Sequence, residues 1–341
     1  MAGRKLVKSV RTLIIIGYCS FMVQQREVTC GFLKAGLNLP LSRFNKNYVT
    51  LDDIFIGVKT TRHYEQTRLP LIMQTWYQLA KKQIWFFTDK DDPLNQKLTN
   101  GHMVNTKCKA SYEYKNLCCK TGVEYDYFLK TNKKWFCHFD DDNYVNVPHL
   151  LTVLNRYNYD DYWYLGQTSM DTPTTIEKHN SLFTFRFGTG GAGICITRNL
   201  AVKMSPFVIG GRLMAVCEYL GSGDDVTLGF IIEILLHTKL TVMPEFHSHL
   251  ENMGLLNPNT FKEQVSFSYE LETKNVINVP GFSKDYDRTR FLSLHCFLFP
   301  HFNLCRPQQN WNTRSELVNK DINRLISVNR TRLCKKLPSV L

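Results

Sequence analysis

Short apolar runs alternate with longer amphipathic segments from residue 51 onward. The runs IFIGV at 54–58, IWFFT at 84–88 and WFCHF at 135–139 are compact and rich in aromatic and β-branched residues, which predicts three strands. Between the first two, TTRHYEQTRLPLIMQTWYQL at 60–79 places apolar residues at helical spacing. Strands that alternate with helices predict an α/β fold with a mainly parallel sheet flanked by helices.

The same alternation continues after residue 140. PHLLTVLNRY at 148–157 begins with a proline suited to a first helical turn, and YWYLG at 162–166 has the pattern of a strand. Glycines precede the apolar run of TGGAGICIT at 189–197, and two acidic residues open a predicted helix at 224–236, where the helix dipole is positive. We expect the C-terminal third to be mixed sheet and loops that wrap this core.

The N-terminal segment has the charge pattern of a targeting sequence. Basic residues within 4–11 precede an uncharged run at 12–25, an order that keeps the N-terminus in the cytosol. The strongly apolar part, 13–23, is shorter than the about 20 residues of a full bilayer span, so a type II anchor and a cleaved signal are both open. We favour the anchor, because no small-x-small cleavage signature stands out.

These patterns divide the chain into four parts. Residues 1–25 are the cytosolic tail with the anchor or signal, 26–50 a polar stem or linker, 51–306 the globular domain, and 307–341 a tail without an assignment. A chain of 341 residues with 43% apolar content can bury a continuous core.

Composition narrows the choice of partner and compartment. The formal net charge of +12 is scattered in ones and twos, without a recognition helix or zinc finger, so we expect no nucleic-acid binding. Eleven cysteines without a repeated Cys-x-x-Cys motif favour disulfides in an oxidising compartment over zinc. Cys108 with Cys119, and Cys296 with Cys305, could each close a small loop.

Three carboxylates, Asp140, Asp141 and Asp142, directly follow the predicted strand WFCHF. In open α/β sheets, ligands bind at the C-terminal ends of the strands. Adjacent carboxylates repel one another, and a divalent cation that bridges to diphosphate oxygens would relieve this repulsion. The triplet therefore predicts a metal and diphosphate site, with a solvated acidic turn as the alternative.

Two histidines, His247 and His249, lie in the segment FHSHLE. Imidazole suits transition metals better than alkaline earths, so a histidine beside the triplet would favour manganese over magnesium or calcium. In an extended segment both rings would point to the same side, although one is enough to bind a metal. A purely structural role is the alternative for this pair.

The segment GSGDDVTLG at 221–229 brings Asp224 and Asp225 to the start of a helix. Helix capping accounts for one of them. The other could be a general base that takes the proton of a sugar hydroxyl while its oxygen attacks an anomeric carbon with inversion.

Two weaker features lie in predicted loops. KTTRHY at 59–64 comes directly after the first strand, where hydroxyl groups and Arg62 could meet a nucleotide. TGGAG at 189–193 could let a ligand approach the backbone, although such a cluster is usually only a turn.

The motifs LDDIFIGVKTTR, IWFFTD, WFCHFDDDNYVN, FGTGGAGICI, GDDVTLGFIIE, FHSHLE and SLHCFLFP occur in the order and spacing of the Fringe family. Over about residues 50–306 the chain therefore resembles this family of O-fucosylpeptide 3-β-N-acetylglucosaminyltransferases, which belongs to glycosyltransferase family 31. The resemblance implies a GT-A fold for 51–306, UDP-N-acetylglucosamine (UDP-GlcNAc) as donor and manganese as cofactor.

The resemblance also implies an acceptor and a compartment. N-acetylglucosamine would be transferred in β-1,3 linkage to O-linked fucose on EGF-like repeats of Notch, with Notch ligands as further acceptors, and would thereby modulate Notch signalling. The protein would be a single-pass type II Golgi membrane protein with a lumenal catalytic domain, or would be secreted after cleavage.

The resemblance assigns roles to individual residues. The positions of the metal ligands are those of Asp142 and His249, and the proposed catalytic base matches Asp225, which leaves Asp224 a capping or supporting role. Nucleotide contacts are implied at Thr60, Arg62, Asp89 and Asp141.

The resemblance implies three disulfides, Cys108–Cys119, Cys137–Cys195 and Cys296–Cys305. Cys118 and Cys217 depart from the usual pattern: they could form an additional bridge, or Cys118 could compete with Cys119 for Cys108. Val226 stands where relatives often carry cysteine. Cys30 and Cys334 have no assigned partner, and a glycosylation sequon lies at Asn329.

Two other functions remain open at this stage. The first is a related β-1,3-glycosyltransferase with another acceptor, because acceptor choice lies in loops. The second is a secreted, non-catalytic protein that binds a glycoprotein. The presence of Asp142, Asp225 and His249 favours an enzyme.

Overall fold

A mixed seven-stranded sheet forms the centre of this computed structural model, which describes residues 48–111 and 113–305. The strands of the described residues are β1 (Ile54–Lys59), β2 (Ile84–Thr88), β3 (Met103–Asn105), β4 (Trp135–Asp140), β5 (Tyr144–Val145), β6 (Tyr164–Gly166), β7 (Thr174–Lys178), β8 (Ser181–Phe185), β9 (Ile194–Thr197), β10 (Leu240–Val242) and β11 (Ser266–Phe267).

The large sheet has the order β10-β6-β9-β4-β1-β2-β3. Strand β9 runs antiparallel to β4 and β6, whereas the other neighbouring strands are parallel. Two small antiparallel sheets, β5 with β11 and β7 with β8, lie outside it. The predicted mainly parallel mixed sheet is confirmed.

Helices cover both faces of the sheet. They are α1 (Leu69–Gln74), α2 (Pro93–Leu98), α3 (Tyr114–Leu129), α4 (Val147–Leu154), α5 (Arg198–Val208), α6 (Arg212–Leu220), α7 (Asp224–Gly229) and α8 (Phe291–Leu298). Apolar side chains of α1, α4 and α8 join one buried cluster, and those of α3, α5, α6 and α7 join a second.

Alternation along the strands separates these two cores. In β4, Trp135, Cys137 and Phe139 pack in the first cluster, whereas Phe136 packs in the second. Successive side chains of a strand point to opposite faces, so a continuous apolar run buries both faces of a central strand. The uninterrupted apolar runs in the sequence therefore correspond to strands covered on both sides.

Two predicted helices differ in detail from the observed ones. The segment predicted at 60–79 forms turns at 62–68, the short helix α1, and a 3₁₀ turn at Trp76–Leu79. Pro70 lies in the first turn of α1, a position that proline tolerates because the amide there needs no helical acceptor. The helix predicted at 224–236 is α7 followed by a π-helical turn, Phe230–Leu235.

Four disulfides tie the described residues together. Cys108–Cys119, Cys137–Cys195 and Cys296–Cys305 confirm the three that the family resemblance implied. Cys137 and Cys195 are directly paired neighbours on β4 and β9. The fourth bridge joins Cys118 to Cys217 and decides between the two alternatives for these cysteines.

Several predictions fall outside the described residues. They concern the anchor or signal in 1–25, the stem up to residue 47, the tail at 307–341, Cys30, Cys334 and the sequon at Asn329. Within the described ranges, no single helix has the length and apolar content to cross a bilayer, while α5 and α6 together, bent by 72°, meet that requirement by length and composition alone.

Candidate active site

An open cavity of about 620 Å³ lies where β1 and β4 end, a volume within the range of small-molecule sites. Its lining unites segments that are far apart in the sequence, chiefly the loop after β1, the Asp triplet and the start of α7, with further residues within 110–120 and at 190–191. The position follows from the parallel pairing of β1 with β4, which places both C-terminal ends at one edge of the sheet.

Asp141 is held on the wall of this cavity by two donors. The Thr60 hydroxyl donates to its Oδ2 at 2.8 Å, and Arg68 Nη1 donates to its Oδ1 at 2.6 Å. Burial nevertheless raises the pKa of Asp141, because desolvation outweighs the opposing Arg68 and Thr60. The predicted pair Thr60 and Asp141 therefore meets in the fold, joined by an arginine that the sequence interpretation did not select.

Asp142 is less completely paired than Asp141. Arg68 Nη1 lies 3.4 Å from its Oδ2, while its Oδ1 is buried without a hydrogen-bond partner among the described residues. Burial, followed by the neighbouring Asp140 and then Asp141, raises the pKa of Asp142 to about 8. A buried carboxylate oxygen without a donor provides a favourable position for a cation.

Only one of the two predicted histidines faces the triplet. His249 Nδ1 lies 3.5 Å from the Ser268 hydroxyl, which in turn lies 3.3 Å from the backbone oxygen of Asp142. A Cβ atom on Gly191, a residue of the cavity lining, would lie 3.6 Å from the His249 ring. His249 thus stands beside the cavity, next to Asp142.

His247 does not face the site, contrary to the prediction that both rings could. Its Nδ1 contacts Glu251 at 3.0 Å and its Nε2 contacts Gln264 at 2.8 Å. The segment is not an extended strand here, so the alternation on which that prediction depended does not apply. The structural alternative is correct for His247.

The donor set fits a cation with few protein ligands. Asp142 supplies a buried oxygen without a partner among the described residues, and His249 supplies an imidazole that Ser268 connects to the backbone oxygen of Asp142. Among the described residues, no group of three or more His, Cys, Asp or Glu side chains is arranged to hold a metal ion. A metal bound here would therefore need further ligands from the substrate or solvent, an arrangement typical of magnesium and manganese bound with phosphates.

Asp225 lies at the start of α7 and lines the same cavity. Its Oδ1 accepts from the Val226 amide at 2.7 Å, and its Oδ2 lies 3.5 Å from the Gly190 amide. Burial, followed by the neighbouring Asp224, raises the pKa of Asp225 to about 6. A carboxylate with this pKa is mostly ionised at neutral pH and basic enough to accept a proton.

Asp224 has the supporting role rather than a capping role. It accepts from Lys59 Nζ at 2.8 Å and from the Thr121 hydroxyl. The N-cap of α7 is Gly223, which has no side chain to cap the helix. Burial opposes ionisation, but Lys59 and Thr121 lower the pKa of Asp224, which therefore stays charged.

The other predicted nucleotide contacts differ in accessibility. Arg62 lines the cavity, and its backbone amide donates to Asp89 at 3.2 Å. The Asp89 side chain is fully buried in an ion pair with Lys120 at 2.7 Å, and Lys120 also donates to the Thr60 carbonyl. Asp89 therefore supports the loop and lysine that line the cavity, and its direct contact with a nucleotide stays a prediction.

Three cationic side chains that line the cavity were not predicted as site residues from the sequence: Lys59, Arg68 and Lys120. Arg68 also lies over the Tyr64 ring, 3.7 Å from its centroid, which holds the guanidinium beside the triplet. Lys120 follows two cysteines that form disulfides, a sequence signal that this helix start is fixed in place.

The sequence of this chain is similar to those of known proteins. The Fringe-like family model matches residues 49–302, most of the chain. This chain belongs to the Fringe-like family. Its mainly parallel mixed sheet flanked by helices agrees with the GT-A fold that the resemblance implied.

Relatives of this Fringe-like chain come from insects and vertebrates. A Fringe glycosyltransferase of Drosophila melanogaster is 52% identical and covers 76% of this chain, which spans 65% of that relative's length. A radical fringe β-1,3-N-acetylglucosaminyltransferase of Gallus gallus is 45% identical, covering 76% of this chain and 72% of the relative. The lunatic fringe β-1,3-N-acetylglucosaminyltransferase of Danio rerio is 42% identical, with the same two coverages.

Proposed function

We propose that this Fringe-like chain is an inverting β-1,3-N-acetylglucosaminyltransferase that transfers the sugar of UDP-GlcNAc to O-linked fucose on EGF-like repeats of Notch. The observation that carries this proposal is the cavity itself, whose lining combines Asp225 with the Asp triplet and four cationic side chains: Lys59, Arg62, Arg68 and Lys120. The names of the relatives from Gallus gallus and Danio rerio support the reaction and the transferred sugar.

Cations of this chain would bind the donor diphosphate. Arg62, Arg68 and Lys120 all line the cavity, and a diphosphate carries negative charge that guanidinium and ammonium groups attract. The carboxylates alone would repel the donor. Asp141 is held by Thr60 and Arg68, so its position relative to the loop after β1 is set before a donor enters.

Manganese is the proposed cofactor, with Asp142 and His249 as the protein ligands. A carboxylate oxygen such as Asp142 Oδ1, buried without a partner among the described residues, and an imidazole such as that of His249 are donor types that suit this ion. When bound, the ion would neutralise the negative charge that develops on the leaving nucleoside diphosphate.

Asp225 would act as the general base. The acceptor hydroxyl loses its proton to a carboxylate oxygen of Asp225, and the hydroxyl oxygen forms a bond to the anomeric carbon of N-acetylglucosamine. The bond from that carbon to the diphosphate oxygen breaks, and uridine diphosphate leaves with the electron pair. Attack from the side opposite the leaving group inverts the anomeric centre, which gives the β linkage from an α-linked donor.

The compartment forms part of the same proposal. The four disulfides indicate an oxidising environment, which is consistent with a catalytic domain in the Golgi lumen. The charge pattern within 4–25 supports membrane attachment through a type II anchor. The alternative is secretion after this segment is cleaved.

A donor and acceptor panel tests the proposal. The chain is incubated with manganese and each of several UDP-sugars, together with an EGF-like repeat with or without O-linked fucose, and the products are identified by mass. We expect an added N-acetylglucosamine only on the fucosylated repeat, and loss of transfer when manganese is chelated.

Other outcomes would replace the proposal with a specific alternative. Transfer of another sugar, or transfer to an acceptor without fucose, would indicate a related glycosyltransferase with another specificity. Binding of the fucosylated repeat without any transfer would indicate a non-catalytic binding protein.

A further inference from the structure

A buried lysine connects the two acidic parts of the cavity. Lys59, the last residue of β1, places its Nζ 2.8 Å from Asp224 Oδ2 and 3.3 Å from Asp140 Oδ1. Its side chain is 10% exposed, so both interactions are largely shielded from water. One ammonium group thus joins the residue before the candidate base to the first residue of the triplet.

A second buried pair extends this connection behind the triplet. His138 Nδ1 lies 2.7 Å from Glu124 Oε2, and His138 Nε2 lies 3.5 Å from Asp140 Oδ1. Burial opposes protonation, but Glu124 and Asp140 together outweigh it and raise the pKa of His138 to about 9, so the ring is cationic at neutral pH. The charges therefore alternate along Glu124, His138, Asp140, Lys59 and Asp224.

Gly57 provides the space for this arrangement. It is paired with His138 in the register of β1 and β4. A Cβ atom at residue 57 would lie 2.6 Å from Glu124 Oε2, so a side chain there would displace the Glu124 carboxylate. The missing side chain on β1 thus makes room for a charged pair inside an otherwise apolar core.

We propose that Lys59 is a positioning residue for the transfer reaction: by holding Asp140 and Asp224 on one ammonium group, it fixes the Asp225 carboxylate relative to the triplet. The inference depends on the proposed function, in which Asp225 is the base and the triplet faces the donor. Asp224 is bonded to Lys59 and Thr121, and Asp225 is the next residue, so the orientation of Asp225 follows from that anchor.

The charge of Lys59 also acts on Asp225 directly. Burial and Asp224 raise the pKa of Asp225, whereas Lys59 and the amides of Val226 and Gly190 lower it. Tyr164 also interacts with Asp225, while Glu124 and Asp140 surround Lys59 and His138 acts on Asp224. Lys59 and Asp224 therefore affect Asp225 in opposite directions.

Because Lys59 and Asp224 change the pKa of Asp225 in opposite directions, their replacement should shift the pH profile in opposite directions. A general loss of structure would not produce such opposite shifts. The rate of transfer should rise with pH as Asp225 becomes ionised, which defines the acid limb of the kcat profile. In Lys59→Met we expect that limb to move up by about one pH unit, and in Asp224→Asn to move down by a similar amount. We also expect kcat of Lys59→Met to fall by about tenfold or more while the donor KM changes by less than about threefold.

Two control variants show whether the effect depends on a cation at residue 59 or only on the total charge of the protein. Lys59→Arg keeps a cation that can reach both carboxylates, so its acid limb should stay within about 0.3 pH unit of wild type. Lys239→Met removes a lysine charge from an exposed side chain and should leave the profile unchanged. Unfolding midpoints of all variants show whether the assay temperature is safe for the comparison.

Each outcome has a distinct meaning. If wild type transfers sugar but Lys59→Met and Asp224→Asn move the acid limb in the same direction, or not at all, Lys59 does not position the base. If Lys59→Met does not fold, an unchanged acid limb in Asp224→Asn is enough to overturn the inference. If wild type transfers no sugar under any tested condition, the proposed function itself fails.

Discussion

Adjacent carboxylates in this protein have different partners and therefore different properties. Asp140 is paired with Lys59 and His138, which against the effect of burial keep its pKa well below the ordinary value. Asp142 has a buried oxygen without a donor, and its pKa is raised to about 8. Two aspartates thus have different properties because their environments differ: Asp140 is an ion-paired carboxylate, whereas Asp142 has an oxygen that is open to a further ligand.

Replacing Asp225 with Asn should separate proton transfer from donor binding. The amide is similar in size but cannot accept the acceptor proton, so kcat should fall by about 100-fold or more. UDP affinity should change by less than about threefold, since Asp225 would not hold the diphosphate. Titration calorimetry with UDP and a transfer assay measure the two quantities. Asp285→Asn, an exposed position outside the cavity lining, is the matched control, and a parallel loss of UDP binding in Asp225→Asn would contradict the assigned role.

At the scale of elements, adjacent cysteines fix the start of α3. Cys119 bonds to Cys108 and Cys118 bonds to Cys217 in α6, while the next two residues, Lys120 and Thr121, reach Asp89 and Asp224. The Cys118 sulfur also lies 3.9 Å from the Ser222 carbonyl in the loop before α7. The additional bridge therefore joins α3 to α6 beside the loop that leads into α7 and the proposed base, Asp225.

Removal of this bridge should reduce activity as well as stability. In Cys118→Ala/Cys217→Ala the free energy of unfolding should fall by roughly 2–4 kcal/mol, since the bridge closes a long loop. We expect kcat to decrease at temperatures well below unfolding, because the loop that precedes Asp225 and α7 is less constrained. Cys296→Ala/Cys305→Ala is the comparison, because that bridge spans nine residues and neither cysteine lines the cavity. Equal kcat values for the two double variants would show that the bridge is purely structural.

At the scale of the whole molecule, acid should destabilise the fold through His295. This side chain of α8 is fully buried, and its Nδ1 lies 2.8 Å from the Tyr144 hydroxyl. Burial lowers the pKa of His295 to about 4 from an ordinary value of 6.5. Between these values the unfolded chain binds more protons than the folded chain, so stability decreases as the pH falls through that interval.

The predicted loss is at most about 1.4 kcal/mol per pH unit between pH 6.5 and pH 4. His295→Asn keeps a hydrogen-bonding group near the position of Nδ1 but does not titrate. As the pH is lowered, we therefore expect the unfolding free energy of wild type to fall more than that of this variant. Denaturant unfolding at pH 7, 6 and 5 measures the difference, and a constant value across these pH values would exclude the mechanism.

The sequence by itself determined the elements and the chemical types at the site. Apolar runs such as WFCHF correctly predicted strands, because the pattern of apolar residues is local, and the structure buries them on both faces. The Asp triplet and Asp225 were found because carboxylates at the ends of strands and helices are visible in a linear pattern. The same holds for the ordered motifs that indicated the Fringe family.

Only the tertiary structure decided which of these groups meet. Arg68 pairs with Asp141 across 73 residues and Lys59 with Asp224 across 165, and no local period or spacing encodes such contacts. The orientation of His247 away from the site and the pairing of Cys118 with Cys217 were likewise set by packing. Burial completes the division of roles, because the desolvation that raises the pKa of Asp142 and Asp225 exists only once the surrounding chain has folded around them.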